Sequence, residues 1–229
     1  MGVAPSPAAA PAEQAAPARV KVTEIFLSIQ GEADSVGWPT VFVRLTGCPL
    51  RCQYCDTQYA FYGGEWLGLE EVLGKVASFQ TKHVCVTGGE PLAQKGCFDL
   101  LRHLCDAGHR VSLETSGAID VSKVDPRVVR VVDVKTPGSG EEPRNRLENL
   151  DLLRRDEEIK FVICDRPDFD WARDLVRART LTERCTVLFS PSHGQVEARD
   201  LAQWILDERL PVRLQIQLHK VLWGDTPGR

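Results

Sequence analysis

Short apolar runs rich in β-branched residues alternate along the chain with segments in which apolar residues recur every three or four positions. The first pattern predicts strands and the second predicts helices. The predicted strands cover residues 22–27, 41–45, 83–86, 110–113, 129–134, 159–163, 186–189 and 212–216. The predicted helices cover residues 69–79, 98–107, 146–154, 169–179 and 196–208. Strands that alternate with helices indicate βαβ units around a parallel sheet, so we expect an α/β fold.

The N-terminal segment lacks such a pattern, because it consists almost entirely of Ala, Pro and small polar residues. It cannot bury enough apolar surface to offset the entropy of ordering it, which predicts a disordered tail at 1–19 before one domain at 20–229. A secretory signal would need a basic start and a Leu- or Val-rich centre, and neither is present. No apolar run is long enough to span a bilayer. We therefore expect a cytoplasmic protein without a membrane partner.

Charge and cysteine content narrow the range of partners. The chain has 229 residues and a formal net charge of −4, so it lacks the basic excess that is typical of nucleic-acid binding. A small polar partner suits this balance better than a duplex. Five of the eight cysteines are scattered at positions typical of small buried hydrophobes, namely Cys85, Cys97, Cys105, Cys164 and Cys185.

Reactive or glycine-rich motifs directly follow most of the predicted strands. In chain order they are TGCPLRCQYCD, TGGEP, ETSG, KTPGSG, SPSHG and QLHK. The C-terminal ends of parallel strands share one edge of a sheet, where functional sites are commonly built. Turn formation alone explains the glycines, but it explains poorly the side chains of Cys48, Cys52, Cys55, Glu114, Lys135 and His219.

Three cysteines, Cys48, Cys52 and Cys55, follow the strand at 41–45 with the spacing C-x3-C-x2-C. Thiolates bind soft metals and iron–sulfur clusters. A structural zinc ion needs four protein ligands, so His83 or Cys85 would have to complete a zinc site through folding. Three cysteines on a 4Fe–4S cluster leave one iron open to a small molecule. The spacing therefore favours a cluster, with zinc as the alternative.

The segment CPLRCQYCD resembles the cluster loop of radical S-adenosylmethionine (SAM) enzymes. Gly88-Gly89-Glu90-Pro91 resembles the second motif of that superfamily, which approaches the amino group of SAM. Two glycines let a backbone carbonyl come close to an ammonium group. The resemblance implies that the open iron binds SAM, whose reductive cleavage gives a 5′-deoxyadenosyl radical that abstracts a substrate hydrogen. The cofactor supplies the difficult chemistry, while the protein positions groups and excludes water.

Taken together, IQGE, FVRLTGCPLRCQYCDT, TGGEP, ETSG and QLHK are similar to the 7-carboxy-7-deazaguanine synthase family over nearly all of the chain after residue 20. The resemblance implies a partial, abbreviated parallel β/α barrel of the radical SAM type. It also implies conversion of 6-carboxy-5,6,7,8-tetrahydropterin to 7-carboxy-7-deazaguanine with loss of ammonia, in queuosine-type 7-deazapurine biosynthesis. The implied cofactors are a 4Fe–4S cluster, SAM and Mg²⁺. The implied partners are the pterin, a flavodoxin- or ferredoxin-type reductant and a second copy of the chain.

The resemblance also assigns roles to individual residues. Substrate-binding residues would be Ile29, Gln30, Gly31, Glu32, Arg44, Thr87, Glu114 and His219. Residues that contact SAM would be Tyr54, Asp56, Gly88, Gly89, Glu90, Lys135, Ser190 and Ser192. Catalytic residues would be the cluster ligands Cys48, Cys52 and Cys55, together with Thr57 as the Mg²⁺ ligand. The chain has Asp133-Val134-Lys135 where some members of the family have Ser-Pro-Lys, which leaves the SAM contact there open.

Several of these residues also have a purely structural interpretation. Arg44 suits a structural salt bridge as well as a ligand contact. Glu114 suits the cap of a following helix, and Thr57 suits a helix cap or a turn. Lys135 suits a solvated loop cation. His193 and His219 are alternatively ordinary, partly buried histidines.

Two other functions share some of these features. A radical SAM activase that forms a glycyl radical on a partner protein has a similar cluster loop, but it has no need of IQGE, Arg44 or Thr57. A zinc-bound interaction module is the alternative outside enzymology. Turnover of the carboxylated tetrahydropterin distinguishes a deazaguanine synthase from the activase. The brown colour of a reconstituted cluster excludes the zinc-bound module.

Overall fold

The computed structural model describes residues 18–224, 226 and 228, and its central feature is a sheet of nine strands. The predicted tail up to residue 17 lies outside the described residues, and Arg19 already belongs to the first strand. The strands are β1 (Arg19–Ile29), β2 (Pro39–Leu45), β3 (Glu65–Gly68), β4 (His83–Gly88), β5 (Arg110–Thr115), β6 (Val129–Val134), β7 (Glu158–Ile163), β8 (Thr186–Pro191) and β9 (Arg213–Leu214).

The order of the strands in the sheet is β3-β1-β2-β4-β5-β6-β7-β8-β9. The seven strands from β2 to β9 along this order run parallel to one another. β1 is antiparallel to both β2 and β3. The two edge strands do not pair with each other in the part of the chain that the structure describes. The expected partial parallel β/α barrel is thereby confirmed.

The helices are α1 (Leu69–Ser78), α2 (Gly96–Asp106), α3 (Arg166–Ala178), α4 (Leu181–Arg184), α5 (Ala198–Asp207) and α6 (Leu218–Trp223). Short 3-10 helices cover Gln58–Ala60, Pro91–Ala93, Pro137–Ser139, Glu142–Arg144 and Leu147–Leu152. Four of the predicted helices are confirmed as α1, α2, α3 and α5. Along the described chain, no helix combines the length and the apolar character that crossing a membrane requires.

Two predicted elements differ from what the structure shows. The helix predicted at 146–154 is a 3-10 helix, Leu147–Leu152, whose buried Asn149 uses its side-chain amide to bind the carbonyls of Gly117 and Ile119. The strand predicted at 212–216 is reduced to Arg213–Leu214. Next to it, Gln215 donates its backbone N–H to Phe189 of β8 and accepts with its side chain from the backbone N–H of Ala33. β3, α4 and α6 are too short for the periodicity to predict them.

Side chains alternate between the two faces of the sheet, as the period of an extended strand requires. Outward-facing residues of β2, β4 and β5 pack with α1 and α2 in one apolar cluster. Those of β6, β7 and β8 pack with α3 and α5 in a second cluster, which is centred on Phe161, Phe169 and Phe189. Cys97, Cys105 and Cys185 pack in these two clusters, which confirms the expectation that they act as small hydrophobes. Cys85 and Cys164 are buried outside them.

Helix α3 shows how local sequence fixes the packing of one of these layers. Asp165 is its N-cap and accepts a hydrogen bond from the backbone N–H of Asp168, an arrangement that stabilises a helix by about 1 kcal/mol. Pro167 lies in the first turn, where the absence of an N–H costs nothing. Phe169, Ala172 and Val176 then recur on one face of the helix and are buried against the sheet.

We expect Phe161→Ala to lower the free energy of unfolding by about 3–5 kcal/mol, because it removes a fully buried ring and leaves a cavity. Leu206→Ala is the matched control, since Leu206 is 69% exposed on α5, and it should change stability by less than about 0.5 kcal/mol. Anaerobic urea denaturation of the cluster-loaded proteins measures both values. Equal effects of the two substitutions would contradict this description of the core.

Candidate active site

The inward-facing side of the sheet carries one polar side chain from each of six neighbouring strands. β2, β4, β5, β6, β7 and β8 contribute, in that order, Arg44, Thr87, Glu114, Asp133, Lys160 and Ser190. The parallel register places Arg44 beside Thr87 and Asp133 beside Lys160. All six residues line a cavity of about 260 Å³ at the C-terminal edge of the sheet.

The loop that follows β2 brings its three cysteines to the mouth of this cavity. Cys48, Cys52 and Cys55 are partly buried, and all three line the cavity. The loop is fixed by backbone hydrogen bonds from Gly47 N–H to the Ala60 carbonyl (2.7 Å) and from Gln53 N–H to the Ser139 carbonyl (3.0 Å). The predicted cluster ligands are therefore brought together.

Burial raises the pKa of the Cys52 thiol to about 11, although nearby Lys135 acts in the opposite direction. A metal centre that binds such a thiol replaces its proton, so binding releases a proton. Among the described residues, no three His, Cys, Asp or Glu side chains lie close enough together to hold a single metal ion. His83 stacks on Trp38 at the start of β4 and Cys85 contacts Glu114, so neither joins the three cysteines as a fourth ligand.

Gly88 and Gly89 allow the end of β4 to approach the cluster loop closely. Gly88 has φ +150°, and a Cβ atom there would collide with the backbone of Leu45. A Cβ atom on Gly89 would collide with the Gly47 carbonyl and lie 2.8 Å from the Cβ atom of Cys48. Any side chain at either position would therefore force apart the two motifs that line this part of the cavity.

Glu90 lies behind these glycines and does not line the cavity. It is fully buried, and its carboxylate accepts hydrogen bonds from the backbone N–H groups of Leu92 (2.9 Å) and Ser116 (2.7 Å) and from the hydroxyl of Thr115 (2.9 Å). These donors supply the hydrogen bonds that a buried carboxylate needs. Glu90 thus connects the turn after β4 to the end of β5.

Glu114 faces the cavity from β5. Its carboxylate accepts a hydrogen bond from the hydroxyl of Thr87 (3.2 Å) and is 3.4 Å from the amide nitrogen of buried Gln30. The interpretation of Glu114 as a helix cap is wrong, because β5 is followed by a loop that leads to β6. Gln30, Thr87 and Glu114 therefore form one polar group on the cavity wall.

Glu32 is held by two side chains from distant parts of the chain. Lys160 Nζ lies 2.6 Å from one carboxylate oxygen, and the Gln217 amide donates to the other at 2.8 Å. Burial by itself would raise the pKa of Glu32, but the charge and hydrogen bond of Lys160, with help from Gln217 and His219, lower it to about 2. Glu32 is therefore a carboxylate throughout the physiological range.

The same segment packs directly against the C-terminal helix. A Cβ atom on Gly31 would collide with the ring of His219, and the Leu218 N–H donates to the Gly31 carbonyl at 3.0 Å. His219 is partly buried and lines the cavity, as does Ile29. Two of the predicted substrate residues are thus brought into contact across the whole length of the domain.

Arg44 forms a salt bridge and also lines the cavity. Its Nε atom is 2.7 Å from Glu24, which in turn accepts a hydrogen bond from the Tyr59 hydroxyl at 2.8 Å. The guanidinium lies 5.8 Å from the ring centres of both Phe26 and Tyr59. A guanidinium has five N–H donors, so this ion pair leaves donors for a ligand in the cavity.

Lys135 is buried, so its interpretation as a solvated loop cation is wrong. Its ammonium lies 2.9 Å from Asp133 and 5.7 Å from the centre of the Tyr54 ring. The Tyr54 hydroxyl and Asp133 Oδ1 are both buried without a hydrogen-bond partner, and burial and the charge of Asp133 raise the pKa of Tyr54. Unpaired buried polar atoms in a cavity wall indicate a ligand that carries both donors and acceptors.

Thr57 and Asp56 place hard oxygen atoms at the edge of the cavity. Thr57 begins the 3-10 helix Gln58–Ala60, but its side chain makes no capping bond and donates instead to Asp56 at 2.8 Å. Lys220 Nζ lies 3.6 Å from Asp56. Hydroxyl and carboxylate oxygens are suitable ligands for Mg²⁺ when substrate oxygens or waters complete the shell.

The loop after β8 forms the remaining side of the cavity. Ser190 and Ser192 are buried, and the Ser192 hydroxyl donates to the Gln195 side chain at 2.6 Å. His193 lines the cavity from an exposed position. Two of the predicted site residues, Glu90 and Gly31, do not line this cavity, and Gly31 packs against His219 instead. All of the other predicted site residues line it.

Sequence reasoning missed three residues that hold the site together, Glu24, Lys160 and Gln217. A signal was available for Lys160 because it occupies an inward-facing position of β7, between the outward-facing Ile159 and Phe161. An isolated lysine at such a position of a buried strand needs a partner. Gln217 belongs to the motif QLHK, in which His219 was the predicted site residue, and Glu24 gave no comparable signal.

Comparison with known proteins agrees with this geometry. Residues 42–132, which include the cluster loop and both glycines, match the Radical SAM superfamily. The chain is 44% identical over 210 residues to the 7-carboxy-7-deazaguanine synthase of Chlorobaculum tepidum, with coverage of 90% of this chain and 96% of that protein. It is 41% identical over 225 residues to the synthase of Koribacter versatilis, with coverage of 91% of this chain and 100% of that protein.

Solved structures support the fold. The crystal structure of QueE from Escherichia coli superimposes with a TM-score of 0.72 and covers 88% of this chain and 95% of that chain, at 24% identity. SuiB of Streptococcus suis, in its structure bound to S-adenosylmethionine, gives a TM-score of 0.55 at 13% identity and covers 75% of this chain and 44% of that one. On the strength of its full-length relatives, the chain belongs to the 7-carboxy-7-deazaguanine synthase family of radical SAM enzymes.

Proposed function

We propose that the protein converts 6-carboxy-5,6,7,8-tetrahydropterin to 7-carboxy-7-deazaguanine with release of ammonia, as a carbon–nitrogen lyase of queuosine-type 7-deazapurine biosynthesis. One observation carries this proposal: a single cavity is lined by the three cysteines of the cluster loop and by the polar group around Glu114. The family that the relatives define makes the same product according to their name. The cofactors are a 4Fe–4S cluster, SAM and Mg²⁺.

The residues present suit each of these cofactors. Cys48, Cys52 and Cys55 would hold the cluster, since three thiolates leave one iron for SAM. When bound and reduced, the cluster and SAM supply the abstraction of a hydrogen atom from the substrate. Thr57, assisted by Asp56, would hold Mg²⁺ against oxygens of the substrate, where the ion acts as a Lewis acid.

The SAM side of the cavity would be formed by residues from four strand ends. The backbone at Gly88 and Gly89 is open to a close approach by the amino group of SAM. The unpaired Tyr54 hydroxyl and Asp133 Oδ1 offer one donor and two acceptor groups to the polar part of the nucleoside. Glu90 would support this wall from behind. The remaining contacts would come from Asp56, Lys135, Ser190 and Ser192.

The opposite wall would hold the pterin. The Glu114 carboxylate accepts from a ring N–H and an amino group together, which rejects rings that lack either donor. Arg44 offers a planar pair of donors to the substrate carboxylate. Glu32 adds a second fixed acceptor. Further contacts would come from Ile29, Gln30, Thr87 and His219, with Gly31 giving the space that His219 occupies.

Two protein partners belong to the same proposal. A homodimer is supported by exposed apolar side chains on β9, on α6 and between them, at Leu214, Ile216, Val221 and Leu222. A flavodoxin- or ferredoxin-type protein would deliver the electron to the cluster loop in the cytoplasm. The rival function, activation of a glycyl radical on a protein, has less support because charged side chains such as Arg44, Glu114 and Lys160 line the cavity wall.

Anaerobic turnover tests the proposal directly. The reconstituted protein, given the carboxylated tetrahydropterin, SAM, Mg²⁺ and a low-potential reductant, should form a deazapurine and ammonia in equal amounts. Omission of the pterin should leave only slow cleavage of SAM. Cleavage of SAM at an unchanged rate with and without the pterin, and no deazapurine, would show that the substrate is a different molecule.

Cys52→Ala should abolish assembly of the cluster, because two thiolates remain to hold four irons. Cys105→Ala is the matched control, since Cys105 is a partly buried cysteine on α2 outside the cavity, and it should retain the iron and sulfide content of the parent protein. Iron and sulfide analysis after anaerobic reconstitution measures both variants. A full complement of iron in Cys52→Ala would exclude the assigned ligand set.

Glu114→Gln should weaken pterin binding by about 10- to 100-fold, since an amide replaces one charged acceptor with a donor that faces the donors of the ring. Glu70→Gln, at an exposed position on α1, should leave binding unchanged. The dissociation constant is measured with SAM present and without reductant. An unchanged affinity in Glu114→Gln would place the pterin elsewhere in the cavity.

A further inference from the structure

Lys160 is a buried cation that belongs to none of the motifs from which the site was predicted. It lies on the inward-facing side of β7, next to Asp133 of β6 in the parallel register. Its side chain is 12% exposed and faces the cavity. Its outward-facing neighbours, Ile159 and Phe161, are fully buried in the apolar cluster that packs against α3. The strand therefore holds the lysine rigidly at this position.

The ammonium of Lys160 joins the two walls of the cavity. It lies 2.6 Å from Glu32, on the side that we assign to the pterin, and 3.8 Å from Asp133, which pairs with Lys135 on the SAM side. Gln217 binds the second oxygen of Glu32 from the C-terminal segment. Both carboxylate oxygens of Glu32 are thus fixed, and the direction of their remaining lone pairs is set by Lys160 and Gln217.

Charge balance makes Lys160 necessary for the ionisation of Glu32. Glu32 and Asp133 supply two negative charges in a region with little solvent, and Lys160 and Lys135 supply two positive charges. Removal of one partner from such a group leaves a buried charge unpaired, and a carboxyl group then takes up a proton instead. Burial already acts to raise the pKa of Glu32, and the Lys160 ammonium is the largest opposing influence.

The other charged groups near Glu32 do not replace Lys160. His219 lies on α6 and lowers the pKa of Glu32 less than Lys160 does. Lys135 is paired with Asp133. Burial acts to lower the pKa of Lys160. The negative charges of Glu32, Asp133 and Glu114 outweigh burial and raise this pKa. The ammonium of Lys160 therefore persists across the same pH range as the carboxylate.

We infer that Lys160 is the positioning residue of the substrate site, which keeps Glu32 ionised and orients it so that it accepts a hydrogen bond from a donor group of the substrate. This inference rests on the proposed function, in which Glu32 binds the pterin. It adds a strand, β7, to the elements that determine substrate affinity. It also explains why a lysine occurs among the apolar residues of a central strand.

The first test follows the protonation of Glu32 and needs no substrate. Infrared difference spectra between Lys160→Met and the double variant Lys160→Met/Glu32→Gln report the carboxyl group of Glu32 in the cluster-loaded protein. In this comparison, protonated Glu32 should be detected as the pH falls from 8.5 to 5.5. The difference spectrum between the parent protein and Glu32→Gln, in which Lys160 is intact, should show only the carboxylate form. A carboxylate that persists over the whole range in Lys160→Met would overturn the inference.

The second test measures pterin affinity with SAM present and reductant omitted. The affinity of the parent protein for the pterin should not change with pH through Glu32, because Glu32 stays ionised. In Lys160→Met it should fall with decreasing pH, by about tenfold for each unit below the new pKa of Glu32. Lys160→Arg keeps the charge and should remove this pH dependence. Lys75→Met, which removes an exposed lysine paired with Glu71 on α1, should behave as the parent.

The double variant separates positioning from direct contact, and it also guards against loss of folding. Replacing both members of a buried pair is better tolerated than removing one, so Lys160→Met/Glu32→Gln remains available if Lys160→Met does not fold. Its pterin affinity should equal that of Glu32→Gln alone. A further loss would mean that Lys160 contacts the substrate itself, which contradicts a positioning role.

Failure of the proposed function gives a different result. The parent protein would then neither bind nor convert the pterin, and the inference that Lys160 serves pterin binding would be overturned with it. The infrared comparison would still decide whether Lys160 controls the protonation of Glu32, since it uses no substrate. Intact pterin turnover in the parent protein, together with pH-independent affinity in Lys160→Met, would reject the inference while leaving the function in place.

Discussion

The alternation of side chains along parallel strands is the constraint on which the rest of this structure depends. Each central strand presents apolar residues to the helices and a polar residue to the interior, because successive side chains of a strand point to opposite faces. The apolar face anchors the strand through the burial of large side chains, which is the dominant stabilising contribution to folding. A shift of one residue in register would exchange the two faces, so the core and the site are determined by the same register.

An interior lined with charges is stable only because the charges compensate one another. Arg44 pairs with Glu24, and Lys160 lies between Glu32 and Asp133. Such pairs cost desolvation energy and contribute little net stability. Their benefit lies in a site whose acceptors and donors have fixed directions before any ligand arrives, which reduces the reorganisation that binding and catalysis require. The cavity is therefore organised by electrostatics on a scaffold that the outer apolar layers hold in place.

The parts that sequence could predict are those in which a short pattern has one physical meaning. Short apolar runs rich in β-branched residues predicted the central strands, and C-x3-C-x2-C predicted the cluster loop. Short elements such as β3 and α6 were missed because their stability comes from tertiary contacts, which outweigh local propensity. Glu90 belongs to a motif but is buried behind the cavity wall. Gln217 holds Glu32 from 185 positions away, and no local pattern predicts a contact of that kind.

The substrate site is complete only when the two ends of the domain are in contact. The segment after β1 supplies Gln30 and Glu32, and the segment before α6 meets it through the Leu218–Gly31 hydrogen bond and the Gln217–Glu32 contact. Closing so long a loop carries an entropic cost that is recovered only once the intervening strands have paired. The cluster loop also depends on a distant segment, because the Gln53 N–H donates to the Ser139 carbonyl. The cluster loop and the wall that faces it are therefore both held by contacts that exist only once the intervening strands have paired.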